Sequence, residues 1–559
     1  MAAPSLPSGT AASAPSLRRW RPAAVRLALW ILIGLALRTI ALSGDGLWID
    51  EGYTAWTAHL PAREHEIARS HDDAPPLYYA IARAVVPRLP PTDASVRALS
   101  AAAGVAGTVW LALAPPVPGA REAAVAFFAA GTYGVHYGRQ ARSYAVLMLW
   151  TVVLLTASAR VMQGRSPWWF VVVAASEALA LWTHNVAAAL VGGANLAWLL
   201  AGLPRPRGWL LAQAAAFLAW LPYLVRAMPQ LSVHATLNVW IEKYWERVPL
   251  AIAPLASLEA FTSGARVWPN PPVPLWMWRG PGSTVLAILA FAAVVLLGVA
   301  ALRGARRREA RLAAGFTLGP LVAMTVLSLV TTPSYILGRT DAVAYPGFVL
   351  WMAIGAVSVE RRWLRRAAVG VLALSTILGT ASGLPLGDRG ADHDRQVGRA
   401  VAGELRPGDW IAYVGLSRPS IDYYVSGGRP GCVDPVHHRL DYPAIFGDNP
   451  AAVYPTPAES LEVWNEEARD VRRSFERQAA PGAKIWFVGP IQPGAPREAT
   501  AEDLPYPGSL LAYALNGLRP LDPLIRLRGD AVGVDWIAFA VERDSLIPES
   551  ELREVEAAP

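Results

Sequence analysis

A series of long apolar runs constrains this chain more than any other feature. Crossing a bilayer as a helix takes about 20 consecutive apolar residues. Runs of that kind lie near 24–42, 94–114, 123–138, 144–162, 167–184, 185–202, 208–228, 282–302, 310–331, 341–359 and 366–384. In lipid every backbone polar group must be satisfied within the protein, so about eleven such segments predict a mainly α, polytopic helical bundle. Composition agrees. Of 559 residues, 53% are hydrophobic and 17% charged, against about a quarter charged in average globular chains. These values exclude a disordered chain and argue against an ordinary soluble enzyme. The single cysteine, Cys432, excludes an internal disulfide and a multi-cysteine metal site.

The net charge of +7 conceals a division along the chain. Residues 1–384 carry 32 Lys and Arg against 16 Asp and Glu, a net +16, whereas residues 385–559 carry 18 against 27, a net −9. Basic residues concentrate in loops on the cytoplasmic side of a membrane protein. With the N-terminus and its Arg18, Arg19, Arg21 and Arg26 placed in the cytoplasm, alternating eleven spans puts every compact arginine cluster on the same side. Those clusters are Arg121, Arg160 with Arg165, Arg205 with Arg207, Arg303 to Arg311, and Arg361 to Arg366. The same assignment sends 43–93, the turn 139–143, the loop 229–281 and the tail from 385 outside. The expected organisation is a disordered cytoplasmic N-terminus (1–22), a transmembrane domain (23–384) whose first outer loop is 43–93, and an extracytoplasmic α/β domain (385–559). Localisation in a cell inner membrane follows. Basic residues lying between apolar runs give no nucleic-acid footprint.

The tail's α/β character rests on short strand-like runs at 411–415, 484–489 and 536–542, with helical spacing over 394–405 and 460–479. In the loop 229–281, Trp240, Trp245, Trp268, Trp276 and Trp278 read as an interfacial belt before they read as sugar platforms.

The first outer loop is the candidate place for chemistry. Eight of the 16 acids before residue 385 fall in it: Asp45, Asp50, Glu51, Glu64, Glu66, Asp72, Asp73 and Asp93. A carboxylate at a water–lipid boundary, tuned by its neighbours, is a candidate general base. The plainer alternative is a solvated loop with acids at helix starts. "PPLYYAIARAVVPRLP" (75–90) is too short to span and reads as a helix along the membrane surface.

Four ordered motifs narrow the choice: "LWIDEGYTA" (47–55), "DDAPPLYY" (72–79), "YGRQARSYAV" (137–146) and "LWTHNVA" (181–187), followed by "PSYILGRTDAVAYP" (333–346). In order and spacing they resemble the bacterial membrane glycosyltransferases related to the dolichyl-phosphate-mannose protein mannosyltransferases, multi-spanning enzymes of the C-type glycosyltransferase fold. The likeness is strong over 40–190, weaker over 190–384 and generic in the tail. Departures from the family pattern are Ala74 where it has His, Gln140 where it has Glu, and Thr340 where it has Tyr.

The resemblance implies transfer of a sugar from a polyprenyl-phosphate donor to a lipid, glycan or protein acceptor outside the cytoplasm, with inversion. It implies Asp50 as general base, with Glu51 either supporting it or purely structural. Asp72, Asp73, Arg142, Tyr144, His184 and Arg339 become candidates for the donor phosphate or substrate. Arginine suits a leaving phosphate because it matches the phosphate oxygens in a bidentate way, although an interfacial arginine also reaches to headgroups. A divalent cation on Asp50, Asp72 and His184 is chemically conceivable, but nothing in the spacing calls for one and no metal is assigned. Glu177, inside a span and two turns before His184, either shares its stripe or pairs with a buried arginine. It is also the one feature in favour of a rival reading, a transporter or flippase of lipid-linked sugars.

Overall fold

The computed structural model describes residues 21–70, 74–237, 241, 245, 249–263, 281–331, 333–383, 389–429, 437–442, 457–491, 507–516, 522–528 and 535–546. The expected disordered segment therefore lies almost wholly outside the described residues, as do Asp72, Asp73, Trp240, Trp268, Trp276 and Trp278.

Each apolar run is helical. Seven helices among the described residues are long and apolar enough to cross a membrane: Pro22–Thr39, Asp93–Leu113, Tyr144–Met162, Pro206–Met228, Thr284–Arg303, Arg307–Val330 and Thr340–Ser358. Several runs are shorter than their apolar lengths suggest. The run 123–138 divides at Gly131 into Arg121–Ala130 and Thr132–Gly138. Its broken end is capped from another helix. Arg38, buried in Arg21–Thr39, donates to the carbonyls of Phe128 (3.0 Å) and Ala129 (2.7 Å), satisfying acceptors that a helix C-terminus leaves open. The guanidinium fits because Gly104 faces it: a Cβ there would lie 2.5 Å from Arg38 Nε. The runs 167–184 and 185–202 become Trp168–Thr183 and Ala187–Leu200, separated by an extended His184 (φ −160°, ψ 139°).

The segment 229–281 differs from its reading as an outer loop. It contains a helix, Ala253–Ser263, whose residues from Ala256 onward are all buried in the bundle. Trp245 is also buried and donates to the Tyr335 carbonyl at 2.7 Å, so its indole N–H has a partner inside the protein and it is not part of an interfacial belt. Small residues hide this helix from a hydropathy reading, because "APLASLEAFTS" is too short and too mixed to register as a span.

The tail forms a five-stranded sheet from β1 (Trp410–Val414), β2 (His438–Tyr442), β3 (Lys484–Ile491), β4 (Ile525–Arg528) and β5 (Asp535–Glu542), in the order β2-β1-β3-β5-β4. β1 runs parallel to β2 and β3, while β5 is antiparallel to β3 and β4. Helices cover both faces, which explains why β1 is buried throughout. Trp410, Ala412 and Val414 pack with Phe475, Leu511 and Leu515. Ile411 and Tyr413 point the other way, toward Val397, Val401, Ile421 and Val425. β1, β3 and β5 match the expected runs. β2 and β4, "HRLDY" and "IRLR", lie at the two edges and carry charge, as exposed edges do, and for that reason their sequences do not look like strands.

The sheet domain rests on the segment 43–93. Arg395 donates to the carbonyls of Ser43 (3.2 Å) and Gly44 (3.0 Å) and lies 3.6 Å from Asp93. Nearby, partial burial pushes the Asp45 carboxyl above its ordinary value of 3.8, against the downward pull of Arg97, Arg139 and Arg395. The folded chain therefore binds this proton more tightly than the unfolded one, and the group's contribution to stability grows as pH falls, complete below about 3.8. Asp45→Asn should accordingly raise the thermal midpoint at pH 7, with the advantage closing toward pH 4. An advantage of the same size at both values would mean that the Asp45 charge is not its source.

Candidate active site

Asp50 lies in the first turn of the helix Ile49–His59. Its Oδ2 is 3.4 Å from Arg339 Nη1 and 3.8 Å from Arg142 Nε, and all three side chains are partly exposed, at 25%, 14% and 18%. These residues come from three distant stretches of sequence. The tertiary fold brings three of the proposed site residues together at one carboxylate.

Glu51, one residue on, is turned to a different task. It is 1% exposed and accepts from Arg97 through both oxygens, Nε at 2.9 Å and Nη2 at 2.6 Å. Arg97 also donates to the carbonyls of Leu42, Asp45 and Gly46, which closes the loop that leads into the helix. Glu51 Oε1 accepts the Ala141 N–H at 2.8 Å, and Thr54 donates to the Ala141 carbonyl at 2.8 Å. Ser100 then donates to the Arg142 carbonyl at 3.0 Å. Three backbone groups of the turn 139–143 are thereby fixed on the Asp50 helix and on Asp93–Leu113. Of the two roles open for Glu51, this geometry is that of an anchor which sets Arg142 beside Asp50.

Arg339 is placed by a second network. Gly338, at φ +76°, allows the chain to turn there. Thr340 folds its hydroxyl back on Ile336, accepting the amide at 3.0 Å. Asp341 is buried and accepts from Tyr133 and Ser257, each at 2.6 Å, and the Ser257 and Tyr335 hydroxyls are also 2.6 Å apart. The short turn Thr340–Ala344 is thus tied to the helices Thr132–Gly138 and Ala253–Ser263. The Arg339 guanidinium lies 5.1 Å from the centre of the Trp48 ring, a cation–π distance.

Tyr144 opens the helix Tyr144–Met162 and is buried between the rings of Tyr137 (4.9 Å) and His184 (5.4 Å). His184 accepts the Val186 N–H on Nδ1 at 3.2 Å. Its extended backbone takes it off the helical stripe of Glu177, so those two residues do not share a face. Glu177 finds a glutamine in place of an arginine: Gln213 Nε2 lies 2.9 and 2.8 Å from its two oxygens. Gln213 in turn accepts from Asn195, whose side-chain oxygen accepts from Trp209. Glu177 therefore belongs to a structural polar chain within the bundle, away from the Asp50 cluster. Gln140, at a departure from the family pattern, meets His136 at 2.9 Å.

Arg142 lies two residues before the helix Tyr144–Met162, and Arg339 immediately precedes the turn that continues into Tyr345–Ser358. Helix N-termini present unpaired N–H groups and a partial positive charge, which favours anions. Tyr79 accepts from Arg142 at 3.1 Å. Two guanidiniums flank Asp50, and among the described residues, which do not include Asp72 or Asp73, no three His, Cys, Asp or Glu side chains gather as a ligand set.

Reading the sequence did not find Arg97, Thr54, Ser100 or Asp341. Arg97 and Asp341 carried a usable signal, since each is an ionisable residue near the start of an apolar run, where a charge needs a specific partner.

No family model and no curated protein sequence matches the chain. Solved structures do. ArnT from Cupriavidus metallidurans bound to undecaprenyl phosphate aligns at 15% identity and a TM-score of 0.44, covering 92% of this chain and 98% of that one. The oligosaccharyltransferase AglB from Archaeoglobus fulgidus, in complex with an inhibitory peptide and a dolichol-phosphate, aligns at 13% identity and 0.45, covering 85% and 70%. An Archaeoglobus fulgidus oligosaccharyltransferase tethered to an acceptor peptide aligns at 12% and 0.48, covering 93% and 74%.

Proposed function

We propose that this chain is a membrane glycosyltransferase of the C-type fold that moves a sugar from a polyprenyl-phosphate carrier to an acceptor on the extracytoplasmic side of an inner membrane. The observation that carries this reading is the convergence of Asp50, Arg142 and Arg339, one carboxylate and two guanidiniums within 3.8 Å, from three of the stretches that resemble the family.

The roles follow from charge. The donor phosphate binds against Arg142 and Arg339, with the helix N-termini behind them. As the guanidiniums turn toward it, the Asp50 carboxylate is released to accept the proton of an acceptor hydroxyl. The acceptor oxygen bonds to the anomeric carbon as the bond from that carbon to the phosphate oxygen breaks. The bonding pair leaves on polyprenyl phosphate, where the arginines stabilise the growing charge. A single displacement inverts the anomeric centre. Tyr144 and His184 line the same end of the bundle and serve the donor or sugar.

The test is purified protein in lipid, assayed for release of polyprenyl phosphate from a panel of polyprenyl-phosphate sugars. Arg142→Ala and Arg339→Ala should each weaken binding of undecaprenyl phosphate by about tenfold or more, as loss of a charge-assisted contact does. Unchanged binding in both variants would remove the arginines as the phosphate site. Movement of the sugar lipid across vesicles with no transfer would point to the transporter.

A further inference from the structure

We infer that the tail's helix Arg418–Val425 is a positioning element for the acid-bearing turn 47–52, so that the sheet domain sets where Asp50 stands relative to Arg142 and Arg339. This rests on the reading of Asp50 as the reacting carboxylate. The contact itself does not depend on that reading.

The helix Ile49–His59 is held between two bodies. Residues two apart on a helix project about 200° apart, so Asp50 and Gly52 occupy opposite faces. Asp50 faces the arginines of the bundle. Gly52 faces the tail so closely that a Cβ there would lie 2.5 Å from both the backbone nitrogen and the Cα of Ser420. That clash is with main chain, and no rotamer change relieves it. At the start of the same turn the Leu47 N–H donates to the Tyr424 hydroxyl at 2.6 Å. Asp93 is also buried and interacts electrostatically with Tyr424. Leu47, Ala55 and Ala58 of the loop share one buried cluster with Tyr423 and Tyr424. Toward the other end, the Arg418 guanidinium lies 5.6 Å from the Trp56 ring and 5.9 Å from that of Tyr413, bridging the helix to β1.

The platform is itself braced. Ser420 donates to the buried Asp394 of Arg389–Glu404. Asp422, also buried, accepts from Tyr413 at 2.7 Å and from Arg439 of β2 at 2.6 Å. The short helix is therefore fixed to the sheet before it meets Gly52. A shift of the sheet domain carries to the Asp50 turn through main-chain contact at Gly52 and one hydrogen bond at Leu47. A misplacement of about 1 Å in a catalytic geometry can cost on the order of 100-fold in rate.

The experiment uses the full chain in lipid with two variants, Gly52→Val and Tyr424→Phe. Turnover should fall about 100-fold for the first and about tenfold for the second, while KM for the donor and affinity for undecaprenyl phosphate, which the arginines govern, stay near wild type. Hydrogen exchange should quicken at 47–52 in both variants. The Tyr424→Phe variant removes a single hydroxyl and keeps the test open if Gly52→Val does not fold. Turnover unchanged in Tyr424→Phe despite faster exchange would make the contact merely structural and overturn the inference, as would unchanged exchange at 47–52. A wild-type chain with no transferase activity would defeat the proposed function, and the exchange measurement would then decide alone whether the tail holds this turn.

Discussion

Asp50→Asn should lower sugar transfer by about 10²–10⁴-fold, the range that a positioned general base contributes. Asparagine keeps the shape of the side chain but cannot accept the proton. The position is 25% exposed and its partners are two guanidiniums at 3.4 and 3.8 Å, so the substitution strands no buried charge and the thermal midpoint should stay close to wild type. The sign of the binding change separates base from binder. Removing a negative charge from between Arg142 and Arg339 should leave undecaprenyl phosphate bound at least as tightly as before. The expected pattern is therefore a lower kcat with no rise in KM for the donor. Initial rates of polyprenyl phosphate release across donor concentrations give both quantities. A raised KM with kcat intact would place Asp50 in substrate binding and leave the base elsewhere.

Glu51→Leu should have the opposite profile, a large loss of stability. Glu51 and Arg97 form a buried pair, 1% and 8% exposed in their side chains, and removing one partner of such a pair costs about 3–5 kcal/mol because the other charge stays buried and uncompensated. The Ala141 N–H loses its acceptor as well. Thermal unfolding in detergent should show a markedly lower midpoint, or little folded protein. The double variant with Arg97→Met should cost less than the sum of the single losses, since the second change removes the charge that the first one strands. It should not recover fully, because the carbonyls of Leu42, Asp45 and Gly46 still lose their donor. A folded Glu51→Gln protein with a wild-type midpoint and the activity loss ascribed to Asp50 would exchange the roles of the two acids.

Adjacent in sequence and alike in chemistry, Asp50 and Glu51 show how far the sequence could be read. The pair stood out as an acidic dyad at the edge of an apolar run. The resemblance pointed to Asp50 as the base but left Glu51 between a supporting and a structural role, because that choice depends on the 100° turn between successive helical residues and on what lies across from each. Across from Glu51 is Arg97, and across from Asp50 are Arg142 and Arg339. Glu177 teaches the same lesson in reverse. A lone acid inside a span suggested a transport site or an arginine partner, but the fold supplies Gln213, a neutral residue that carries no charge signal in the sequence. The helix Ala253–Ser263 escaped because its burial comes from small residues packed within the bundle and not from a long hydrophobic stretch.

What the sequence by itself determined is the class of molecule. The long apolar runs dictate helices across a membrane, since no other open structure satisfies a backbone in lipid. The short continuous apolar runs of β1, β3 and β5 dictate strands in the tail. Both follow from the apolar runs along the chain, a local property. The tertiary structure decided the candidate site. Only the folded chain brings residues 50, 142 and 339 to one point, turns Glu51 into an anchor, and presses Ser420 of the tail against Gly52. Each of these depends on contacts between segments far apart in sequence, and no local pattern encodes a distance between them.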